Sequence, residues 1–313
     1  MKVTVLIGGS SAEREVSLVT GAAIEGALQK LSHETSRVDP SEDDWKSRLA
    51  ELSPDLVFIA LHGGAGEDGR IQAELEAMGL AYTGSDPASS ELAMDKQASK
   101  DRAKSLGILT PESRLFRLDN TERASPATVM ELADIIENSI GYPMVAKPNR
   151  EGSSVGLALL HNREDTSLRL PRVIQASADI LVERFIPGRE LTVAILGDRA
   201  LPAIEILPES GLYDFEHKYS KGVTRYQCPA ELPGDMREVM ESQALAIFQN
   251  LGCRDLGRVD FRGDEEGRLW FLEVNTIPGM TETSLVPMSA AAIGLDFPAL
   301  VAKIARHTLE RKA

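Results

Sequence analysis

From Met1 to about residue 90, short apolar runs alternate with stretches whose apolar residues recur at helical spacing. Val3–Ile7 and Leu56–Leu61 are mostly apolar runs, the pattern of strands covered on both faces. Gly8-Gly9-Ser10-Ser11 follows the first run and leads into a helix predicted over Ala12–Leu31, with Ser10 and Glu13 at capping-box spacing. The second run ends in His62-Gly63-Gly64 and precedes a helix over Ile71–Met78 that stops at Gly79. This rhythm predicts a parallel sheet with helices on its faces.

Beyond it, a helix over Glu91–Leu106 is closed by Gly107, with Pro111 following. A second segment then reads as strand Arg114–Leu118, polar stretch Asp119–Pro126 and helix Ala127–Ser139. After Gly141 and Pro143 it continues as strand Met144–Lys147, turn Asn149–Gly156, strand Leu157–Leu160 and strand Ile180–Phe185. The last segment opens with strands Arg189–Leu196 and Leu201–Leu207, joined by Gly197-Asp198. Pro208–Gly222 is polar and aperiodic, the character of a lid or binding loop. Helix Asp235–Leu251 and strands Leu256–Arg262 and Leu269–Asn275 complete the pattern.

The 313 residues suggest two domains, or three small ones. Hydrophobic residues at 42% and charged residues at 26% are globular proportions and exclude a disordered chain or a rod. Asp and Glu outnumber Lys and Arg by 48 to 34, for a net charge of −14, which repels phosphate backbones. With only 5% aromatics there is no base-stacking platform either, so no nucleic-acid partner is expected. Cys228 and Cys253 make neither a disulfide framework nor a zinc set, and both read as packing residues. The start of the chain lacks the pattern of a signal peptide, and no apolar run approaches the ~18 residues of a membrane span. The expectation is a soluble, cytoplasmic protein with no membrane partner.

The richest local chemistry lies in the hairpin Leu256–Asn275. Alternation puts Arg258 and Asp260 on one face of their strand and Glu273 and Asn275 on one face of theirs, with Val259, Phe261, Leu272 and Val274 opposite. A loop over Glu265–Arg268 sets Asp260 across from Glu273. Two carboxylates and an amide are hard oxygen donors suited to Mg²⁺ or Mn²⁺, although spacing alone also fits a solvated hairpin face. Lys147-Pro148-Asn149-Arg150-Glu151-Gly152-Ser153-Ser154-Val155-Gly156 offers close backbone approach, hydroxyl donors and a lysine for an anion, or else a plain turn. Gly64-Ala65-Gly66-Glu67-Asp68-Gly69 has the spacing of a dinucleotide fingerprint, but Glu67 and Asp68 stand where a pyrophosphate would dock. Glu15 is accounted for by the helix dipole alone, and His62 ends a buried strand, where α/β sheets bind ligands.

Taken in order, several segments make a stronger pattern. They are Gly8–Ser17, His62-Gly63-x-x-Gly66-Glu67-Asp68-Gly69, Tyr82-Thr83-Gly84-Ser85, Met94-Asp95-Lys96, Lys147–Gly156, Gly257-Arg258-Val259-Asp260, Glu273-Val274-Asn275-Thr276-x-Pro278-Gly279-Met280-Thr281 and Ser284-Leu285-Val286-Pro287. The set resembles the D-alanine–D-alanine ligases of the ATP-grasp superfamily, from Val3 to about Ala302. The resemblance implies a three-domain α/β ATP-grasp architecture: an N-terminal parallel-sheet, Rossmann-like domain over residues 1–95, a central domain over 96–184 and a C-terminal domain over 185–313. The last two are α+β domains enclosing ATP. It implies ligation of two D-alanine molecules through an acyl phosphate, for peptidoglycan precursors, by a homodimer.

By resemblance, Asp260, Glu273 and Asn275 bind two Mg²⁺ ions, with Mn²⁺ as a substitute. Lys96 and Lys147 contact the α- and β-phosphates and Lys218 the γ-phosphate, while Ser153 and Ser154 belong to the loop folding over them. Glu183, Phe185 and Ile186 hold adenine, and Glu190 the ribose. Glu15 faces the ammonium of the first D-alanine, with Ser153 and Tyr219 as its partners. Arg258 and the Gly279 N–H stabilise the oxyanion, and Ser284 and Leu285 take the second carboxylate. His62 lies near the reacting carboxylate, and Tyr213–Tyr226 corresponds to the lid loop. The resemblance narrows the charge argument: Lys96, Lys147, Lys218, Arg258 and bound Mg²⁺ supply a local positive field for a nucleotide.

Three other readings compete. Another ATP-grasp ligase would share the phosphate and metal residues but differ at Glu15, Ser153, Tyr219 and Ser284. A nicotinamide dehydrogenase would use Gly64–Gly69. A catalytically dead binding module would have lost ligands, yet Asp260, Glu273, Asn275 and Arg258 are all present.

Overall fold

Strand β1 (Lys2–Leu6) lies between β2 (Glu34–Val38) and β3 (Leu56–Ile59) in a parallel sheet of order β2-β1-β3. The structure, a computed structural model, describes residues 1–152, 156–208 and 224–312. Both central runs are buried as their composition demands, and the helices Arg14–Lys30 and Arg70–Ala77 follow them. The expected Ser10–Glu13 capping box does not form. Glu13 occupies the N-cap position without a side-chain cap, and its N–H donates to the Ser11 hydroxyl. Strand β2 has no apolar alternation, and the helix Trp45–Leu52 is short, with Trp45, Leu49 and Leu52 at helical spacing. β2 is an edge strand with only Val38 buried, and the helix buries only Trp45 and Leu49, one turn apart.

The helix expected over Glu91–Leu106 is two helices, Pro87–Met94 and Lys96–Ser105. Asp95 between them is extended, and its carboxylate caps the second helix through the Ala98 N–H at 3.0 Å. The same carboxylate accepts from Asn149 Nδ2 at 2.9 Å and from Arg150 Nη2 at 2.9 Å. The break thus ties this corner to the glycine–serine segment.

The second sheet is antiparallel, with β4 (Ser113–Arg117), β5 (Met144–Pro148), β6 (Ala158–Leu160) and β7 (Asp179–Arg184) in the order β4-β7-β5-β6. Within the polar stretch after β4, Asp119 and Glu122 form a capping box that starts a short helix, Asn120–Ala124. The helices Pro126–Ser139 and Arg163–Ala176 cover the sheet around a core of Leu132, Ile136, Leu170, Val173 and Ile174.

The third sheet contains β8 (Arg189–Leu196), β9 (Arg199–Ala200), β10 (Ile204–Pro208), β11 (Thr224–Gln227), β12 (Leu256–Gly263) and β13 (Leu269–Asn275). Its order is β11-β10-β8-β12-β13, with β9 paired to β8. The strand expected over Leu201–Leu207 is interrupted: pairing stops after Ala200 and resumes at Ile204, with Pro202, which has no N–H to donate, in the gap. Helix Gly234–Asn250 packs on this sheet through Met240, Ala244, Ile247 and Phe248. The last helix, Phe297–Lys312, crosses back onto the first sheet. There Leu300, Val301 and Ile304 share a core with Val3, Val5, Ile24 and Phe58. Among the described residues, no helix is long and apolar enough to cross a membrane.

Candidate active site

The hairpin β12–β13 forms in the expected register. Asp260 faces Glu273 and Arg258 faces Asn275, with Val259 and Val274 paired between them. A register shift then follows, so that Phe261 faces Phe271. That bulge corrects one expectation: Leu272 does not join the hidden face but lines the cleft beside Glu273. Phe261 and Phe271 pack edge to face beneath, ring centroids 6.0 Å apart.

The cleft lies between the second and third sheets and spans about 940 Å³ with its open mouth included. It gathers Lys96, Lys147, Glu183, Phe185, Ile186, Glu190, Arg258, Asp260 and Glu273, each singled out from the sequence. At its floor, the Glu183 carboxylate accepts from Lys147 Nζ at 2.6 Å and pairs with Lys100 Nζ at 2.9 Å. Burial works against the charge of Glu183, yet Lys100 and Lys147 outweigh it and keep its pKa below the ordinary value. Burial likewise opposes the charge on Lys147, but Glu183 and Glu273 hold its pKa above normal. For Lys100 burial wins, and its pKa falls to about 8. Lys96 Nζ donates to the Glu151 carbonyl at 2.6 Å and lies 3.4 Å from Glu273 Oε2.

Arg258 forks onto Asp260, with Nε and Nη2 at 2.9 and 2.8 Å from its two oxygens, and the Thr192 hydroxyl donates to the same carboxylate at 2.6 Å. Asn275 Oδ1 accepts the Ile277 N–H at 3.0 Å. Among the described residues, no three His, Cys, Asp or Glu side chains form a metal cage. Two carboxylates and an amide on one face still fit a hard cation that retains water and phosphate oxygens as ligands, as Mg²⁺ and Mn²⁺ do.

A second cleft of about 600 Å³ lies at the end of the first sheet and includes Ser10, Glu13, Gly63, Arg70 and Gly152. Glu151 lines both clefts, so they meet where the glycine–serine segment begins. Besides Glu151, the second cleft is lined by the carboxylate of Glu13. It is buried, and a Cβ on Gly63 or Gly152 would come within 2.7 or 3.1 Å of its Oε2. Glu15 is exposed on the first helical turn and lines neither cleft, which corrects its expected place facing a substrate ammonium. Positions 13 and 17 share a helix face, and Ser17 is fully buried, so helical spacing was the available signal for Glu13.

Burial favours the neutral form of His62. Its Nδ1 lies 3.0 Å from the Ile277 carbonyl, which only accepts, so Nδ1 donates; in the neutral ring Nε2 then accepts from Thr20 Oγ1 at 3.0 Å. Burial lowers its pKa in keeping with that tautomer. In the glycine motif Gly64–Gly69, Glu67 Oε1 accepts the Gly63 N–H at 2.9 Å, so its own carboxylate takes the place a phosphate would need. Burial, then Glu13, pushes the Glu67 pKa up to about 8.

Gly279 and Ser284 pack together at the start of helix Leu285–Ala291, where a Cβ on Gly279 would lie 3.1 Å from Ser284 Oγ. The Leu285 side chain is buried with Ile204 and Ile206, so this residue offers only its main chain. Ser153, Ser154, Lys218 and Tyr219, and most of the expected lid, lie outside the described residues. Lys100 and Arg262 belong to the cleft region although the sequence reading passed over them. Lys100 lies one helical turn after Lys96, and Arg262 extends the alternation of Arg258 and Asp260.

The family profile described as D-ala D-ala ligase C-terminus matches residues 103–306, and that described as D-ala D-ala ligase N-terminus matches 34–85. A D-alanine–D-alanine ligase of Synechococcus sp. (strain JA-3-3Ab) is 42% identical over 318 residues, covering 100% of this chain and 95% of that protein. The ligase of Aquifex aeolicus is 41% identical, covering 97% of this chain and 99% of its own. The crystal structure of the Bacillus anthracis D-alanine–D-alanine ligase complexed with ATP superposes with a TM-score of 0.81 at 30% identity, covering 100% of this chain and 98% of that one. Full-length similarity of sequence and of fold leads to one conclusion: the chain belongs to the D-alanine–D-alanine ligase family.

Proposed function

We propose that this protein is an ATP-dependent, ADP-forming ligase that joins two D-alanine molecules into D-alanyl-D-alanine for peptidoglycan precursors. The observation that carries the reading is the meeting of two clefts at Glu151, one lined by lysines and the other holding Glu13. A carboxylate oxygen of the first D-alanine attacks the γ-phosphorus and ADP leaves. The amine of the second D-alanine attacks the resulting acyl phosphate at carbon and loses a proton. The tetrahedral intermediate then expels inorganic phosphate, which carries the original carboxylate oxygen.

In this reading Lys96 and Lys147 draw the phosphates into the cleft, with Lys218, Ser153 and Ser154 contributing from outside the described residues. Glu183, Phe185 and Ile186 hold adenine and Glu190 the ribose. Glu13 takes the ammonium-binding role first expected of Glu15, beside Ser153 and Tyr219. Arg258 and the Gly279 N–H receive the developing oxyanion, and Ser284 with the Leu285 main chain receives the second carboxylate. His62, with both ring nitrogens engaged, holds the Ile277–Gly279 turn in place rather than carrying a proton. Asp260, Glu273 and Asn275 would hold Mg²⁺ or Mn²⁺, two ions in all, which neutralise charge on the transferring phosphoryl group when bound.

A homodimer joined through the N-terminal segment and a cytoplasmic location are part of the same proposal. So is the division at 1–95, 96–184 and 185–313, supported by the fall of one sheet in each segment. The test is ADP release by purified protein with ATP, Mg²⁺ and either D- or L-alanine, with the dipeptide identified by mass. The expected result is turnover with D-alanine only. Equal rates with both enantiomers, or none with D-alanine, would sink the proposal. Faster turnover of another carboxylate and amine would move it to a different ATP-grasp ligase.

A further inference from the structure

Arg262 is the third side chain on the cleft face of β12, after Arg258 and Asp260. Four residues at ~3.4 Å each put it about 14 Å along the strand from Arg258, at the end of the cleft away from the metal-binding carboxylates. Its surroundings are specific. Nε donates to the Ile186 carbonyl at 3.0 Å and Nη2 to the Gly188 carbonyl at 2.8 Å, while Nη1 pairs with Glu190 Oε2 at 3.2 Å. Its guanidinium carbon stands 5.4 Å from the centre of the Phe185 ring. Only 8% of the residue is exposed, so its charge depends on these acceptors.

The chain between β7 and β8 crosses from the second sheet to the third here. Gly188 has φ +121°, and a Cβ on it would stand 2.2 Å from the Gly263 carbonyl, so the crossover lies directly against the end of β12. Glu190 is the strand residue directly opposite Arg262 in the β8–β12 pairing. One planar cation thus joins the crossover backbone, its aromatic ring and a cleft carboxylate. A lysine, with a single ammonium centre, has no fork to span them.

We propose that Arg262 is a positioning residue for the nucleotide, holding the Phe185–Gly188 crossover and the Glu190 carboxylate in the arrangement that receives adenine and ribose. The proposal rests on reading the cleft as the ATP site and Glu190 as the ribose acid. Arg262 acts through Glu190 and the crossover, not on the reacting atoms. Its loss therefore weakens nucleotide binding and blurs recognition of the ribose hydroxyls, and leaves the chemistry at Arg258 alone.

The experiment compares the parent with Arg262→Met, Arg262→Lys, Glu190→Gln and the Arg262→Met/Glu190→Gln pair, measuring kcat and KM for ATP, for 2′-deoxy-ATP and for D-alanine. Arg262→Met is expected to raise the ATP KM by about tenfold, the equivalent of one charged hydrogen bond, with kcat and the D-alanine KM within about threefold of parental. The preference for ATP over 2′-deoxy-ATP should fall toward that of Glu190→Gln, and the double variant should fall little further. Arg262→Lys should not restore it. If Arg262→Met lowers thermal stability and kcat but leaves the ATP KM and the 2′-deoxy preference unchanged, the residue is merely structural and the proposal is overturned. Full rescue by lysine overturns it too. If Glu190→Gln itself leaves the 2′-deoxy preference intact while Arg262→Met changes the ATP KM, the ribose reading of Glu190 fails and the crossover part of the proposal stands.

Discussion

Replacing Glu183 by glutamine removes the carboxylate that pairs with two buried lysines. The parent carboxylate is 3% exposed, with Lys147 Nζ at 2.6 Å and Lys100 Nζ at 2.9 Å. Glutamine offers one neutral oxygen in its place and takes the nearest counter-charge from two ammonium groups, leaving them the weaker pull of Glu273. Breaking a buried pair in this way costs about 3–5 kcal/mol. At roughly 2 °C per kcal/mol for a chain of this length, the unfolding midpoint should drop by about 6–10 °C at pH 7. The sign of the pH dependence follows from the depressed Glu183 pKa. A carboxyl held below its usual 4.5 stabilises the fold above that pH, and the stability is lost as pH falls through the lower folded value. The gap between parent and Glu183→Gln should therefore be full at pH 7 and narrow below about pH 4.5. Thermal unfolding followed by circular dichroism without nucleotide measures it. A midpoint within about 1 °C of the parent at pH 7 would refute the claim that this carboxylate neutralises both lysines.

Steady-state kinetics separate the two candidate ammonium ligands. Glu13→Gln should raise the D-alanine KM by about tenfold or more, the loss of a charged hydrogen bond, and Glu15→Gln should leave it within about twofold. The reverse pattern would restore Glu15. Glu273→Gln should lower the rate of ADP formation by at least about a hundredfold with an unchanged dichroism spectrum, and near-parental turnover would remove Glu273 from the metal site. Glu67, raised to about 8 by burial and Glu13, makes stability fall as pH rises from about 4.5 to 8, because only the folded state keeps that proton. Glu67→Gln should flatten this part of the midpoint-versus-pH curve, and parallel curves would contradict the buried, protonated carboxyl.

Strands β1 and β3 of the first sheet, the helix after β1 and the β12–β13 hairpin were legible because each has a clean pattern and a clear stop. The pairing of Asp260 with Glu273 followed from alternation and loop length alone. The failures have physical causes. Asp95 reads as one more polar residue on a long helix, yet its carboxylate is worth more as a cap and as the partner of Asn149 and Arg150. The shift after Asp260, beyond which Phe261 packs on Phe271, is not reported by any period, and so alternation alone puts Leu272 on the wrong face. Helix Arg163–Ala176 is very polar and contains Pro171, which hid the spacing of Thr166, Leu170, Val173 and Ile174. Glu13 and Glu15 are equivalent in a motif string and separate only when the helix face is considered. The cleft carboxylates and lysines were legible as chemistry, while Lys100 and Arg262 show their roles only through partners distant in sequence.

The central claim is that the first D-alanine passes through an acyl phosphate. D-Alanine labelled with ¹⁸O in both carboxylate oxygens, incubated with ATP, Mg²⁺ and the purified protein, tests it directly by mass analysis of the products. The account predicts one ¹⁸O in each inorganic phosphate released and three in the dipeptide, one in the peptide carbonyl and two in the terminal carboxylate. Inorganic phosphate free of ¹⁸O, or label appearing in AMP, would contradict it.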